Sequence, residues 1–224
     1  MSRGDTQSPR FQAVLTAVNA AHLEIAGAFH PRPDQGCPPG TGTLVMLAPL
    51  EPAFWPAFTD SVEYRDGAPD PMDRWSTRVI GQLAQDLGAT ALFPFGGPPY
   101  HPFYSWALAS GRAWASPVRL LVHDRAGLFI SYRGALALPE RMPLPPPTAA
   151  MPCTTCADKP CLSACPIGAL GAGGYDVPAC RAHIAGNAGR DCAESGCLVR
   201  RACPVSTRHG RLPEQSAFHM KAFR

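Results

Sequence analysis

The chain has 224 residues, 46% of them hydrophobic, with 20 Lys and Arg against 17 Asp and Glu for a formal charge of +3. That length buries a real core in one or two domains, at an apolar content ordinary for a globular protein. No run approaches the roughly 18 apolar residues that cross a bilayer, and the first ten residues, Met-Ser-Arg-Gly-Asp-Thr-Gln-Ser-Pro-Arg, hold no apolar signal segment. The reading is a soluble, cytoplasmic chain with no membrane partner.

The N-terminal part reads as mixed α/β. Ser8-Pro9 provides a cap and first turn, and Phe11, Val14, Leu15, Val18 and Ile25 follow at helical spacing. Gly42 to Leu47 is a short apolar run and reads as a buried strand. Asp70-Pro71 starts a second helix, with Met72, Trp75, Val79, Ile80, Leu83 and Leu87 on one face. Ala91 to Phe95 is strand-like. Arg119 to His123 and Leu128 to Tyr132 then flank Asp124-Arg125-Ala126-Gly127, which predicts a hairpin.

Prolines at 139, 143, 145, 146, 147 and 152 disfavour helix and predict an extended spacer. The expected organisation is therefore an α/β domain over 1–138, a linker over 139–152, and a second domain over 153–224. The first domain is a candidate for binding a cofactor or a partner.

Eight of the nine cysteines lie in that last segment. The first set runs Cys153, Cys156, Cys161, Cys165-Pro166; the second is Cys180, Cys192, Cys197, Cys203-Pro204. Four soft thiolates in a short segment suit an iron–sulfur cubane, and both sets close on Cys-Pro. Disulfides would need an oxidising compartment. Zinc is the stronger rival, but its sites are usually paired CxxC or CxxC/HxxxH units without repeated Cys-Pro endings. The expectation is two 4Fe–4S clusters on these eight cysteines. Cys37, alone in a Pro/Gly loop, reads as an inert thiol.

Charge is distributed to match. Residues 1–149 carry 11 Lys and Arg against 12 Asp and Glu, and residues 150–224 carry 9 against 5. A cubane on four thiolates carries about −2 in its usual oxidised state, so two would cancel the C-terminal excess of +4. Arg181, Arg190, Arg200 and Arg201 are thus read as compensating buried sulfide charge, and no nucleic-acid partner is expected.

The cysteine segment resembles the two-cluster bacterial ferredoxin module, and more narrowly its version in epoxyqueuosine reductases and reductive dehalogenases. Tyr175-Asp176-Val177-Pro178-Ala179-Cys180, set well ahead of its partner cysteines, and the closing Cys203-Pro204 carry that resemblance. Trp114 to His123 and Gly127 to Leu136 resemble the segment before the clusters in epoxyqueuosine reductase, and are similar to the vitamin B12-processing proteins of nitroreductase-like fold. The resemblance spans about residues 90–205. It implies an α+β, nitroreductase-like N-terminal domain followed by a small ferredoxin-like domain. It also implies crossed ligation, in which each Cys-Pro cysteine serves the other set. One cluster then takes Cys153, Cys156, Cys161 and Cys203, and the other Cys165, Cys180, Cys192 and Cys197. Four residues separate Cys156 from Cys161 and five separate Cys197 from Cys203, where compact ferredoxins use two and three. Longer loops add little closure entropy, so ligation survives them.

The queuosine enzymes place an acid where this chain has Gly96-Gly97-Pro98-Pro99-Tyr100-His101-Pro102-Phe103, without a carboxylate. Tyr100, His101 or Tyr104 would be the general acid if a substrate pocket existed. His123 and Arg133 are the candidates to line a cobalamin or flavin site; otherwise His123 ends a strand and Arg133 pairs with an acid. The amphipathic tail from Gln215 to Phe223 folds back over a cluster edge or the first domain, shielding sulfides from water, or docks a partner. Two functions follow: an electron-transfer protein serving a redox partner protein, or an oxidoreductase whose clusters feed a cobalamin or flavin. The missing carboxylate favours the first.

Overall fold

A computed structural model describes residues 8–146 and 150–223. Residues 1–7 of the segment searched for a signal, and Pro147 of the spacer, lie outside the described residues. The first elements are α1 (Pro9–Ala20), β1 (Leu23–Phe29), β2 (Thr43–Pro49), α2 (Phe54–Thr59), α3 (Val62–Arg65), α4 (Pro71–Leu87), β3 (Thr90–Leu92) and α5 (Phe103–Ala109). Next come β4 (Ala113–Ala115), β5 (Leu121–His123), β6 (Gly134–Leu138), β7 (Leu170–Gly171) and β8 (Gly174–Tyr175). The chain ends in α6 (Val177–Ala185), α7 (Arg190–Ser195), α8 (Leu198–Arg201) and α9 (Pro213–Phe223). The protein is mixed α and β with small antiparallel sheets, and no described helix is long and apolar enough to cross a membrane.

The chain divides into two compact units, Met1–Arg112 with Ser131–Thr148 and Ala113–Ile130 with Ala149–Arg224. A boundary near residue 138 would leave 113–130 with the N-terminal part; by compactness this segment goes with the cysteines instead.

In the first unit, Ser8 Oγ accepts from the Phe11 N–H at 3.2 Å and α1 buries Phe11, Val14 and Val18. Ile25 does not continue this helix, contrary to its spacing. The chain turns at His22, which takes a φ of 57°, and Ile25 enters β1. An antiparallel sheet of order β1-β2-β6-β3 forms the centre, with Thr43 opposite Leu138 and Leu47 opposite Gly134. Both β2 and β6 are buried along their whole length. On α4 the expected face is buried at Met72, Trp75, Ile80, Leu83 and Leu87, with Val79 half-buried. The strand expected over Ala91–Phe95 stops at Leu92, and Phe93 and Phe95 stack on each other instead.

The proline-rich stretch is fixed at its start. Thr43 Oγ1 donates to the Glu140 carbonyl at 2.8 Å and accepts from the Met142 N–H at 2.9 Å, while Met142 itself is buried.

In the second unit β4 pairs with β5, Ala113 opposite His123. The hairpin expected between 119–123 and 128–132 is therefore only half right. Leu128 to Tyr132 forms no strand, because the Leu128 N–H is drawn to Ser206 Oγ at 2.8 Å. The strand that follows is β6, in the other unit's sheet. Gly127 makes this approach possible: its φ is +56°, and a Cβ there would stand 2.5 Å from the Ser206 nitrogen. Gly127→Ala is expected to destabilise the protein by about 2–4 kcal/mol, from left-handed backbone strain and overpacking. Chemical denaturation checks it; a change below about 0.5 kcal/mol would mean that Ser206 moves aside freely.

Candidate functional site

Short proline turns set the first cysteines. Cys153 lies in the turn Pro152–Thr154 and Cys161 in the turn Pro160–Leu162, the latter entered through Lys159 at a φ of 40°. Cys203 follows α8. These three and Cys156 line a single cavity of about 450 Å³, walled also by Ser116, Val122 and Leu128. Burial pushes the Cys153 thiol up, and Cys161, Cys203 and Cys156 push it further, with Lys159 opposing. Burial likewise raises Cys161, followed by Cys203 and Cys156. These four thiols share one cavity, and Cys203 reaches it from the far end of the other sequence set.

Helices carry most of the second set: Cys180 is on α6, Cys192 on α7, and Cys197 immediately before α8. Cys180 packs with buried Ile184 and Cys192, where Met220 and Phe223 of α9 also arrive. Burial raises the Cys192 thiol, the Leu198 N–H bonded to it lowers it, and Cys197 raises it again. Cys165 and Cys197 both pack against the apolar cluster of Val118, Val122 and Leu128, which also holds Cys161 and Cys203 and receives Cys153. The tail therefore folds back on its own unit: α9 packs beside the second set, and Ser216 comes so near Gly196 that a Cβ there would meet it at 2.6 Å.

The residues fit an iron–sulfur group on three grounds. Four thiols line the cavity, with Asp158 the one carboxylate on its wall. Ser116 is buried, its N–H and carbonyl are used by Leu120 and Arg119, and its Oγ has no hydrogen-bond partner among the described residues. A sulfide or thiolate held in that cavity would be an acceptor for it. Finally, of the four arginines read as charge compensation, three have other partners. Arg190 faces Glu194 at 3.8 Å, Arg201 pairs with Asp191, and Arg181 bonds the Phe223 carbonyl at 2.9 Å. Neither Arg181 nor Arg200 has a carboxylate partner among the described residues, and of the two Arg200 is the less exposed. It donates to the Leu128 carbonyl at 2.6 Å, and burial holds its pKa low while Cys197 and Tyr175 draw it up. A cation placed so calls for an anion.

No three His, Cys, Asp or Glu side chains among the described residues are drawn together as they would be around one metal ion.

The remaining candidates are placed as follows. His123 is fully buried at the end of β5, and its Nδ1 accepts the N–H groups of Arg125 and Ala126, each at 3.2 Å. Arg133 is buried, bonds Asp73 at 3.0 Å and lies over the Phe95 ring. The two residues belong to different units. His101 stacks on Trp106, and Tyr100 and Tyr104 are exposed. Burial raises the Cys37 thiol. Sequence reasoning missed Ser116, which carries no pattern that marks it.

Comparison with protein-family models, curated proteins and solved structures returns no significant match.

Proposed function

We propose that this protein holds two 4Fe–4S clusters and passes single electrons to a redox partner protein. Cys153, Cys156, Cys161 and Cys203 would hold one cluster; Cys165, Cys180, Cys192 and Cys197 would hold the other. The observation that carries the reading is Cys203, which leaves its sequence neighbours to complete the cavity of the first set. Crossed ligation of this kind belongs to two-cluster ferredoxins. The likeness to them rests on the cysteines and their grouping, and the nitroreductase-like character of the first unit rests on the sequence resemblance. When bound, each cluster accepts and releases one electron. The protein's own part is to exclude water and to supply positive charge and hydrogen-bond donors to the sulfurs. A cytoplasmic setting, with its reduced thiols, suits that chemistry.

A reductase built on cobalamin or flavin gains little from His123 and Arg133. The hairpin N–H groups occupy His123 Nδ1, and Asp73 is already paired with Arg133. The carrier reading is preferred on that ground.

Anaerobic reconstitution with iron and sulfide tests it. About eight iron and eight sulfide per chain are expected, with a broad visible absorption that bleaches on reduction. Added cobalamin should leave its own corrin bands unchanged. Uptake of two zinc ions in preference to iron, with no visible absorption, would replace this reading with a structural metal site.

A further inference from the structure

Tyr175 stands at the end of β8, five residues ahead of Cys180, and its hydroxyl donates to Cys180 Sγ at 3.4 Å. Its ring is held from the other side. Phe223 of α9 stacks on it, with centroids 6.0 Å apart and planes 9° from parallel. Arg181, next to Cys180, clamps Phe223 in turn: its Nε bonds the Phe223 carbonyl at 2.9 Å and its guanidinium lies 5.1 Å from the ring centroid. The tyrosine is 41% exposed, so it is part of the surface over Cys180 and not a core residue.

We propose that Tyr175 sets the potential of the second cluster through this bond, with the last turn of α9 keeping the hydroxyl aimed at the sulfur. The inference rests on the two-cluster reading. A hydrogen bond to a ligand sulfur withdraws electron density from it. The reduced cluster is one charge more negative than the oxidised one and gains more from the donor, so the bond raises the potential. The tail thus acts on the redox properties of its own unit.

Tyr175→Phe keeps the ring on Phe223 and removes only the donor. The test is an EPR-monitored redox titration of the iron-loaded full chain, with dithionite as reductant. Cys165→Ser, which should lose the second cluster, identifies which couple is which. Expected in Tyr175→Phe are a full iron content, a downward shift of the second couple alone, and loss of one exchangeable-proton coupling in ENDOR spectra of that cluster. Phe223→Ala frees the ring without removing the hydroxyl, and should give a smaller shift in the same direction. Full iron with an unmoved second couple, or an equal shift of both couples, overturns the role of Tyr175 and leaves the two-cluster reading standing. A wild-type chain that takes up no iron overturns both together.

Discussion

Cys203→Ser is expected to remove the first cluster and spare the second, although Cys203 closes the second set in sequence. Iron should fall from about eight to about four atoms per chain, with sulfide falling in step. The reason is geometric. Cys203 lines the cavity shared by Cys153, Cys156 and Cys161, and it raises the thiols of both Cys153 and Cys161. Serine offers a hard oxygen of far higher pKa in place of a thiolate and holds iron poorly. Cys165→Ser should give the mirror result: loss of the second cluster, with the first still reducible. Redox titration of the two variants reads this directly, since each should show one couple and the two couples should differ. If Cys203→Ser instead lost the cluster held by Cys180, Cys192 and Cys197, ligation would follow sequence order and the crossed assignment would fall.

Much of the first unit was legible because its signals are local. Ser8-Pro9 and Asp70-Pro71 do open helices, and the apolar face read on α4 is the buried one. Two of the four strands in the central sheet gave no such signal. In β1, Leu-Glu-Ile-Ala-Gly-Ala-Phe is buried almost throughout, and β6 is Gly-Ala-Leu-Ala-Leu buried on both faces. Strands of that kind lose the period-2 alternation that marks a half-exposed strand. The second arm of the expected hairpin failed for a non-local reason, the capture of the Leu128 N–H by Ser206. That same contact shows why 113–130 belongs with the cysteines, which no composition shift announces. Spacing alone would group Cys203 with Cys197; only the resemblance pointed to Cys153, Cys156 and Cys161, whose cavity Cys203 lines. The arginines were legible only as a sum of charge. That Arg200 donates to the Leu128 carbonyl and is less exposed than Arg181 depends on packing between α8 and the Leu128 segment.

That arginine gives the second large effect. Arg200→Met should destabilise the iron-loaded protein by about 2–3 kcal/mol, and should weaken retention of the second cluster in particular. Methionine keeps the apolar stem and much of the volume, so packing changes little. What disappears is the charged hydrogen bond to the Leu128 carbonyl, at 2.6 Å, and the positive charge facing Cys197 and Tyr175. Neither Arg190, Arg201 nor Arg181 can take over, since each is held by its own partner. The urea concentration at which the iron–sulfur absorption is half lost measures the effect. Arg200→Lys restores the charge without the planar fork and should recover part of it. The iron-free chain separates the two contributions. It has no cluster charge to balance, so there Arg200→Met loses the hydrogen bond but also relieves a poorly solvated cation. The loss in the iron-free chain should therefore be clearly smaller. Equal losses with and without iron would show that Arg200 serves packing and the Leu128 carbonyl alone, and that the second cluster draws its compensating charge from elsewhere.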